Sequence, residues 1–147
     1  MIRIANLNDS ETIIKFNYLL ALETEGLNID KKQLSKGVRE ILSDSNKGFY
    51  FVYEEDNQVI GQLMITREWS DWRCAYFAWI QSVYVDKNHR KKHVFRSLFD
   101  YVQKMVKDDP NYCGIRLYTD KNNLVAQSTY KKLGMNESNY IFYELEK

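Results

Sequence analysis

The spacing of hydrophobic residues changes from a strand-like to a helix-like repeat between residues 79 and 98. Ile80, Val83 and Val85 give the first part the β-branched, apolar character of a buried strand. Beyond Arg90 the apolar residues fall on two adjacent helical stripes, which are Val94, Leu98, Tyr101 and Met105, and Phe95, Phe99, Val102 and Val106. The pattern predicts a strand, a short basic turn and a helix packed on a sheet.

Weaker repeats of the same two kinds predict the other elements. Strands are expected at residues 2–5, 49–53, 59–66, 76–85, 115–119 and 140–146. A first helix ends at Gly26, Asp30 caps a second, and Asn122 or Asn123 caps the last, which Gly134 closes. The resulting order, β-α-α-β-β-β-α-β-α-β, predicts an α+β (mixed α/β) fold with a mostly antiparallel sheet.

The start of the central helix combines two features that attract an anion. Its first N–H groups have no partner inside the helix, and the positive end of the helix dipole lies there. Several cations lie in the same stretch, namely Arg90, Lys91, Lys92, His93 and Arg96. A phosphate site is the sharpest hypothesis, and a solvated basic surface is the alternative that stays open at this point.

Composition narrows the class of protein. The 147 residues suit a single domain spanning 1–147, and 44% hydrophobic with 28% charged residues is typical of a globular chain. A net charge of +1 argues against nucleic acid as the main partner, and no apolar run is long enough for a membrane span. With only Cys74 and Cys113 and no signal-peptide profile, we expect a reduced cytoplasmic protein without a zinc site.

Two motifs make the chain resemble a known family. The first motif is a strand that reads roughly V-x-P, followed by R/Q-x-x-G-x-G/A at the start of a helix; its strand is matched by Val83-Tyr84-Val85 and its first helix position by Arg90. The second motif, N-x-x-A-x-x-x-Y-x-x-x-G, is matched in full by Asn123, Ala126, Tyr130 and Gly134. On these residues the chain resembles the GCN5-related N-acetyltransferases (GNAT), in particular the small diamine-acetyltransferase-like members. The resemblance implies a twisted sheet of six to seven strands flanked by four helices.

The same resemblance implies acetyl-CoA as cofactor. The cofactor-binding residues would be Val83, Tyr84, Val85, Arg90, Lys91, Lys92, His93, Val94, Phe95, Arg96, Asn123 and Tyr130. His93 and Phe95 stand where the family usually has glycines, which allow close backbone approach to a pyrophosphate. A helix start can still present its N–H groups with these side chains turned away.

For catalysis the resemblance implies the Val83 N–H as donor to the oxyanion and Tyr130 as general acid, with core packing as the alternative for Tyr130. Gln81 stands near the position of an acidic residue in related diamine enzymes and cannot accept a proton. Glu23 is the first candidate for the general base. Glu25, Glu68, Asp71 and a water chain are the alternatives.

The acceptor is expected to be a small-molecule amine. Carboxylates and aromatic rings attract a cation, and the neutral amide of Gln81 can accept a hydrogen bond from it. The expected substrate-binding residues are Glu23, Glu25, Trp69, Asp71, Trp72, Trp79 and Gln81. The alternatives are a protein N-terminus or lysine as acceptor, and a module that senses coenzyme A without catalysis. The resemblance also implies a homodimer, with the strand at 140–146 as a candidate contact.

Overall fold

The computed structural model describes all residues, 1–147, and contains five strands and four α-helices. In chain order they are β1 (Ile2–Ile4), α1 (Ser10–Glu25), α2 (Lys31–Ser43), β2 (Phe49–Glu55), β3 (Gln58–Ser70), β4 (Ala75–Val85), α3 (Val94–Asp108), β5 (Tyr112–Arg116) and α4 (Leu124–Lys132). The α+β class is confirmed.

The chain divides into two compact units, Met1–Leu117 and Tyr118–Lys147. The first contains the whole sheet, in the order β1-β2-β3-β4-β5. Neighbouring strands are antiparallel except for β4 and β5, which are parallel because α3 connects them as a crossover. The expectation of one domain over 1–147 stays a prediction.

The predicted helix ends are confirmed, and each has a local cause. α1 ends at Gly26, whose φ of 63° is left-handed and favours glycine. The Asp30 carboxylate accepts the Lys32 N–H at 2.7 Å and so caps the first turn of α2. The helices therefore begin and end where the sequence supplies the required capping groups.

Apolar side chains pack on both faces of the sheet. One face carries a core of α1, α2 and β2 residues that includes Ile13, Val38 and Val52. On the other face α3 buries Leu98, Phe99 and Val102. The start of α3 comes so close to β3 that a Cβ on Gly61 would lie 2.7 Å from Val94 Cγ1. Glycine at position 61 thus sets the height of this helix end above the sheet.

The expected number of strands was too high, because the sheet has five strands and not six to seven. The predicted strand at 140–146 is wrong, because this segment has no paired backbone and its apolar side chains are exposed, as with Leu145 at 100%. The fifth strand is Tyr112–Arg116 and not 115–119. The residues from Glu68 to Ser70 continue β3, because they pair with the start of β4 as one long hairpin.

Candidate functional site

A β-bulge interrupts β4 next to the residue predicted to hold the oxyanion. Gln62 pairs with Tyr84 but Met64 pairs with Gln81, so one β3 residue faces the two β4 residues Ser82 and Val83. Ser82 has a φ of 49°, which non-glycine residues rarely adopt. A bulge of this kind bends the strand and redirects the groups beside it. The direction of the Val83 peptide is therefore set by the bulge.

The second half of β4 has a hydrogen-bonded neighbour on one side only. Its pairing with β5 extends from Tyr76 to Trp79 and then stops, because β5 ends at Arg116. Ile80, Gln81, Tyr84 and Val85 keep their β3 partners, and the edge of residues 80–85 that faces away from β3 is unpaired. Backbone groups at such an edge can bond an extended ligand as a neighbouring strand would. Val83 and Val85 lie on this open edge.

The loop between β4 and α3 has the backbone shape of a glycine-rich turn without containing glycine. Lys91 and His93 have φ values of 64° and 61°, in the left-handed region. His93 immediately precedes α3, and its side chain makes no capping bond to the first turn. The family position that is usually glycine thus keeps the glycine conformation, at a cost of about 1 kcal/mol for a histidine.

The first turn of α3 offers its main chain to a ligand while its side chains turn elsewhere. Val94 is buried against Gly61, and the Phe95 ring lies 6.2 Å from that of Phe99. The Arg96 guanidinium donates to the Asp100 carboxylate at 3.0 Å. Lys91, Lys92 and His93 are exposed around the same helix start. Backbone N–H groups and nearby cations therefore meet at one place, as an anion site requires.

Arg90 and Glu23 connect this loop to the end of α1. The Glu23 carboxylate accepts the Tyr84 hydroxyl at 2.9 Å and Arg90 Nη2 at 2.7 Å. Lys87 Nζ lies 3.4 Å from the same carboxylate. Arg90 Nε donates to the Val85 carbonyl at 3.0 Å, so the guanidinium is held by both partners. Glu23 and Arg90, predicted for different roles, are in direct contact.

These contacts shift the pKa values of Glu23 and Tyr84. Desolvation raises the pKa of Glu23, but the hydrogen bonds from Arg90 and Tyr84 outweigh it and leave that pKa below its usual value. Desolvation and the hydrogen bond to Glu23 raise the pKa of Tyr84 to about 12. Glu23 is thus an engaged carboxylate with low proton affinity.

The aromatic residues predicted to accompany Glu23 lie at the far end of the hairpin. The Trp69 ring stacks edge-on with Tyr76 at 4.9 Å, and the Trp72 side chain is 86% exposed in the turn. Tyr76 precedes Tyr84 by eight strand residues, which is about 26 Å along β4. The structure does not bring Glu23 and these tryptophans into one cluster.

The remaining acceptor candidates are spread along the same strands. Gln81 Nε2 donates to Thr66 Oγ1 at 2.6 Å, in the middle of the hairpin beside Trp79. Glu25 is exposed at the end of α1, and Asp71 is exposed in the β3–β4 turn. Glu68 forms an ion pair with Arg116.

In the second unit, Asn123 caps α4 by accepting the Ala126 N–H at 3.1 Å. This bond engages its amide oxygen and leaves the amide N–H groups available as donors. Gly134 follows the helix with a φ of 88°, and the neighbouring N–H of Met135 closes onto the Tyr130 carbonyl at 3.1 Å. Burial raises the pKa of Tyr130, so its phenol keeps its proton at neutral pH.

The sequence reasoning missed one group of polar residues behind the bulge. Asn17, Tyr50 and Gln62 are buried, and Asn17 is hydrogen-bonded to both of the others. The available signal was a glutamine and an asparagine among apolar neighbours, at residues 60–65 and 13–20. Because both faces of β3 are covered, polar–apolar alternation could not mark Gln62.

No three or more His, Cys, Asp or Glu side chains are placed to hold a metal ion. None of the helices is both long enough and apolar enough to cross a bilayer.

Comparison with known proteins agrees with this geometry. A family model described as Acetyltransferase (GNAT) family matches residues 16–135. Over 138 residues the chain is 25% identical to a streptothricin acetyltransferase of Escherichia coli, covering 90% of this chain and 75% of that protein.

Solved structures give the same result. A possible acetyltransferase from Clostridium difficile 630 superposes with a TM-score of 0.96 at 49% identity, covering 100% of this chain and 97% of that one. A predicted acetyltransferase from Clostridium acetobutylicum, described with acetyl-CoA, has a TM-score of 0.78 at 21% identity over 99% and 95% of the two chains. At that identity the second comparison concerns the fold alone.

Proposed function

Because this chain belongs to the acetyltransferase (GNAT) family, we propose that it transfers the acetyl group of acetyl-CoA directly to a primary amine of a small molecule. Membership establishes the reaction class, an acyl transfer that uses acetyl-CoA. The observation that carries the rest is the open edge of β4 at residues 80–85, which leads directly into the basic start of α3. The acceptor and the role of each residue are the proposal.

We assign the cofactor's two ends to these two features. Val83 and Val85 would hold the extended pantetheine arm through main-chain groups of the open edge. The pyrophosphate would lie on the first-turn N–H groups of residues 94–96, with Lys91, Lys92 and His93 beside it. Arg90 would join them after releasing Glu23, and the Asn123 amide would donate to the pantetheine arm.

The protein must stabilise the oxyanion, protonate the leaving thiolate and allow the amine to lose a proton. Acetyl-CoA supplies an activated thioester carbonyl. The Val83 N–H would donate to that carbonyl oxygen as negative charge develops during attack by the amine. As the new C–N bond forms and the C–S bond breaks, the Tyr130 phenol would give its proton to the departing thiolate. The assignment of Tyr130 rests on the family motif and on its raised pKa.

The amine must lose a proton before it attacks. Glu23 lies in the last turn of α1, but its two oxygens already accept from Tyr84 and Arg90. Its low proton affinity makes direct proton abstraction slow, so we assign it mainly to attracting a cationic amine. A water chain, or Glu25, would then carry the proton to solvent, because Glu68 and Asp71 lie toward the far end of the β3–β4 hairpin.

A small cationic acceptor is supported by residues along β4 and by one relative. Trp79 and Gln81 lie in the middle of the strand next to the bulge and offer a ring face and an amide. Farther from the bulge, additional negative charge and aromatic surface would come from Glu25, Asp71, Trp69 and Trp72. The E. coli relative is named for an acetyl transfer to streptothricin.

A specific observation favours a second acceptor class. Trp69 and Trp72 are 53% and 86% exposed at the tip of the β3–β4 hairpin. Exposed aromatic residues of this kind are typical of surfaces that contact proteins. A protein N-terminus or lysine is therefore the second candidate acceptor.

We further propose that the chain acts as a homodimer. The segment after α4 exposes Ile141, Phe142, Tyr143 and Leu145 to between 64% and 100%. Apolar exposure of this extent is usually covered by a partner. β5 has only β4 as a neighbour in the sheet, so its outer edge can accept an extended segment from a second copy.

The test combines binding with an acceptor screen. Calorimetry with acetyl-CoA is expected to show one site per chain. Release of free thiol is then measured with a streptothricin, kanamycin, spermidine, lysine and a lysine-containing peptide as acceptors. Turnover of a small amine supports the proposal, and turnover of the peptide alone favours the second candidate. Binding without turnover of any acceptor favours a module that senses coenzyme A, and absence of binding overturns all three.

A further inference from the structure

Gln62 is a fully buried polar residue in the middle of the sheet. Its relative exposure is 0%, and its Oε1 has no hydrogen-bond partner. A buried amide with an unsatisfied oxygen destabilises the fold compared with an apolar side chain of similar size. A glutamine at this position therefore calls for a reason other than stability.

The amide nitrogen of Gln62 connects two elements. Nε2 donates to Asn17 Oδ1 of α1 at 2.7 Å and to the Ser82 carbonyl of β4 at 3.1 Å. Asn17 is fixed in turn, because its Nδ2 donates to the Tyr50 hydroxyl of β2 at 2.9 Å. Tyr50, Asn17, Gln62 and the Ser82 carbonyl thus form a polar network that ends at the bulge.

The network meets the strand at its strained residue. Ser82 has a φ of 49° and belongs to the bulge in which two β4 residues face one of β3. A serine holds this left-handed conformation only where its surroundings impose it. Its carbonyl accepts the hydrogen bond from Gln62 Nε2, and the same peptide group carries the Val83 N–H.

We infer that Gln62, supported by Asn17, is a positioning residue for acyl transfer: it holds Ser82 in its left-handed conformation and thereby aims the Val83 N–H at the thioester oxygen. This inference rests on the proposed function of Val83. It extends that proposal to residues that touch neither cofactor nor acceptor. If the Val83 N–H is misaligned, the chemical step is expected to slow while the affinity for the cofactor stays the same.

The first test is Gln62→Leu, which keeps the volume roughly and removes the amide. We expect kcat to fall by about tenfold or more, while Kd for CoA stays within about twofold. The acceptor is the amine of the panel with the fastest wild-type turnover. Val52→Ala is the matched control, because Val52 is equally buried on the adjacent strand and lies outside the network. Equal kcat values in the two variants overturn the inference.

The second test is a rescue that packing alone cannot explain. Glycine adopts a positive φ without help, so Ser82→Gly added to Gln62→Leu is expected to raise kcat at least about threefold over Gln62→Leu. The same change added to Val52→Ala is expected to leave kcat unraised. Failure to raise kcat in the Gln62→Leu background contradicts the inference. Should Gln62→Leu not fold, Asn17→Ser carries the same two expectations.

A structural measurement separates this inference from the proposed function. In ¹⁵N-labelled protein without acceptor, Gln62→Leu is expected to change the three-bond HN–Hα coupling of Ser82 and to move the Val83 amide resonance. Val52→Ala is expected to change neither. If the wild type acetylates no amine, the proposed function fails while this measurement still decides the inference. An unchanged Ser82 coupling overturns it.

Discussion

Glu23 and Arg90 form a 2.7 Å ion pair that ties the end of α1 to the loop preceding α3. The loop is where we place the cofactor's pyrophosphate, and the end of α1 is where we place the attraction for the amine. One guanidinium is therefore shared between a carboxylate of the protein and the expected phosphate. The pair couples the two halves of the proposed reaction.

Glu23→Gln is expected to tighten CoA binding by about two- to fivefold, because the pyrophosphate no longer competes with a carboxylate for Arg90. The same variant should raise KM for a cationic amine, since a negative charge is lost. Calorimetry gives the first quantity and thiol release the second. Glu40→Gln, which removes an exposed carboxylate of α2, is the control for net charge. Weaker CoA binding in Glu23→Gln would instead mean that Glu23 orients Arg90 toward the phosphate.

The same variant tests the titration of Glu23. Its folded pKa lies below the ordinary value of 4.5, so its contribution to stability is complete above that pH and is lost as the pH falls through the folded pKa. Wild type should therefore be more stable than Glu23→Gln at pH 7, and the difference should fade at pH values below 4.5. Thermal unfolding of both proteins between pH 3 and 8 measures it. A difference that is independent of pH contradicts the assignment.

A feature of the fold or of the candidate site can be predicted from the sequence when the residues that cause it are close together in the chain. Gly26 and Asp30 act within one helical turn, and the sequence located both ends correctly. The basic loop and the β4–α3 junction were predicted for the same reason, because a change of period and a run of cations are visible in the sequence. The fold class follows from their order.

Longer-range features were missed. The strand predicted at 140–146 is rich in aromatic and apolar residues but has no neighbouring strand, and a favourable sequence alone does not supply a pairing partner. The grouping of Glu23 with Trp69 and Trp72 failed because the hairpin continues four residues beyond the strand end predicted at Thr66, to Ser70. That extension places the tryptophans at the opposite end of β4. The pairing of Glu23 with Arg90, 67 residues apart, has no local signal.

His93→Gly tests the meaning of the missing glycine. The φ of 61° costs a histidine about 1 kcal/mol that a glycine does not pay, partly offset by the greater chain entropy of unfolded glycine. We expect a gain in unfolding free energy of up to about 1 kcal/mol, with CoA binding equal or tighter. Lys92→Gly is the control, because residue 92 has no positive φ and should lose stability. Loss of CoA affinity in His93→Gly would assign the imidazole to the phosphate.

Tyr130→Phe tests the general acid. Removing the phenol proton should lower kcat by at least about tenfold, at the modest end of the effects of general acids, and leave Kd for CoA nearly unchanged. Because burial raises the pKa of Tyr130, wild-type kcat should not fall between pH 7 and 9 through loss of this proton. Tyr143→Phe, at an 84% exposed tyrosine of the same unit, is the control. An unaltered rate in Tyr130→Phe assigns Tyr130 to packing.

Ile141→Pro tests the proposed dimer through the backbone and not through hydrophobicity alone. In a strand paired with the β5 edge of a second copy, proline removes a donor and disturbs the pairing, whereas an unpaired segment tolerates it. We expect wild type to sediment as a dimer and Ile141→Pro to shift toward monomer, with Ile141→Leu remaining dimeric. Persistence of the dimer in Ile141→Pro would place the interface elsewhere. A wild-type monomer at tens of micromolar would remove the proposal, and the exposed side chains of Phe142 and Leu145 would then need another partner.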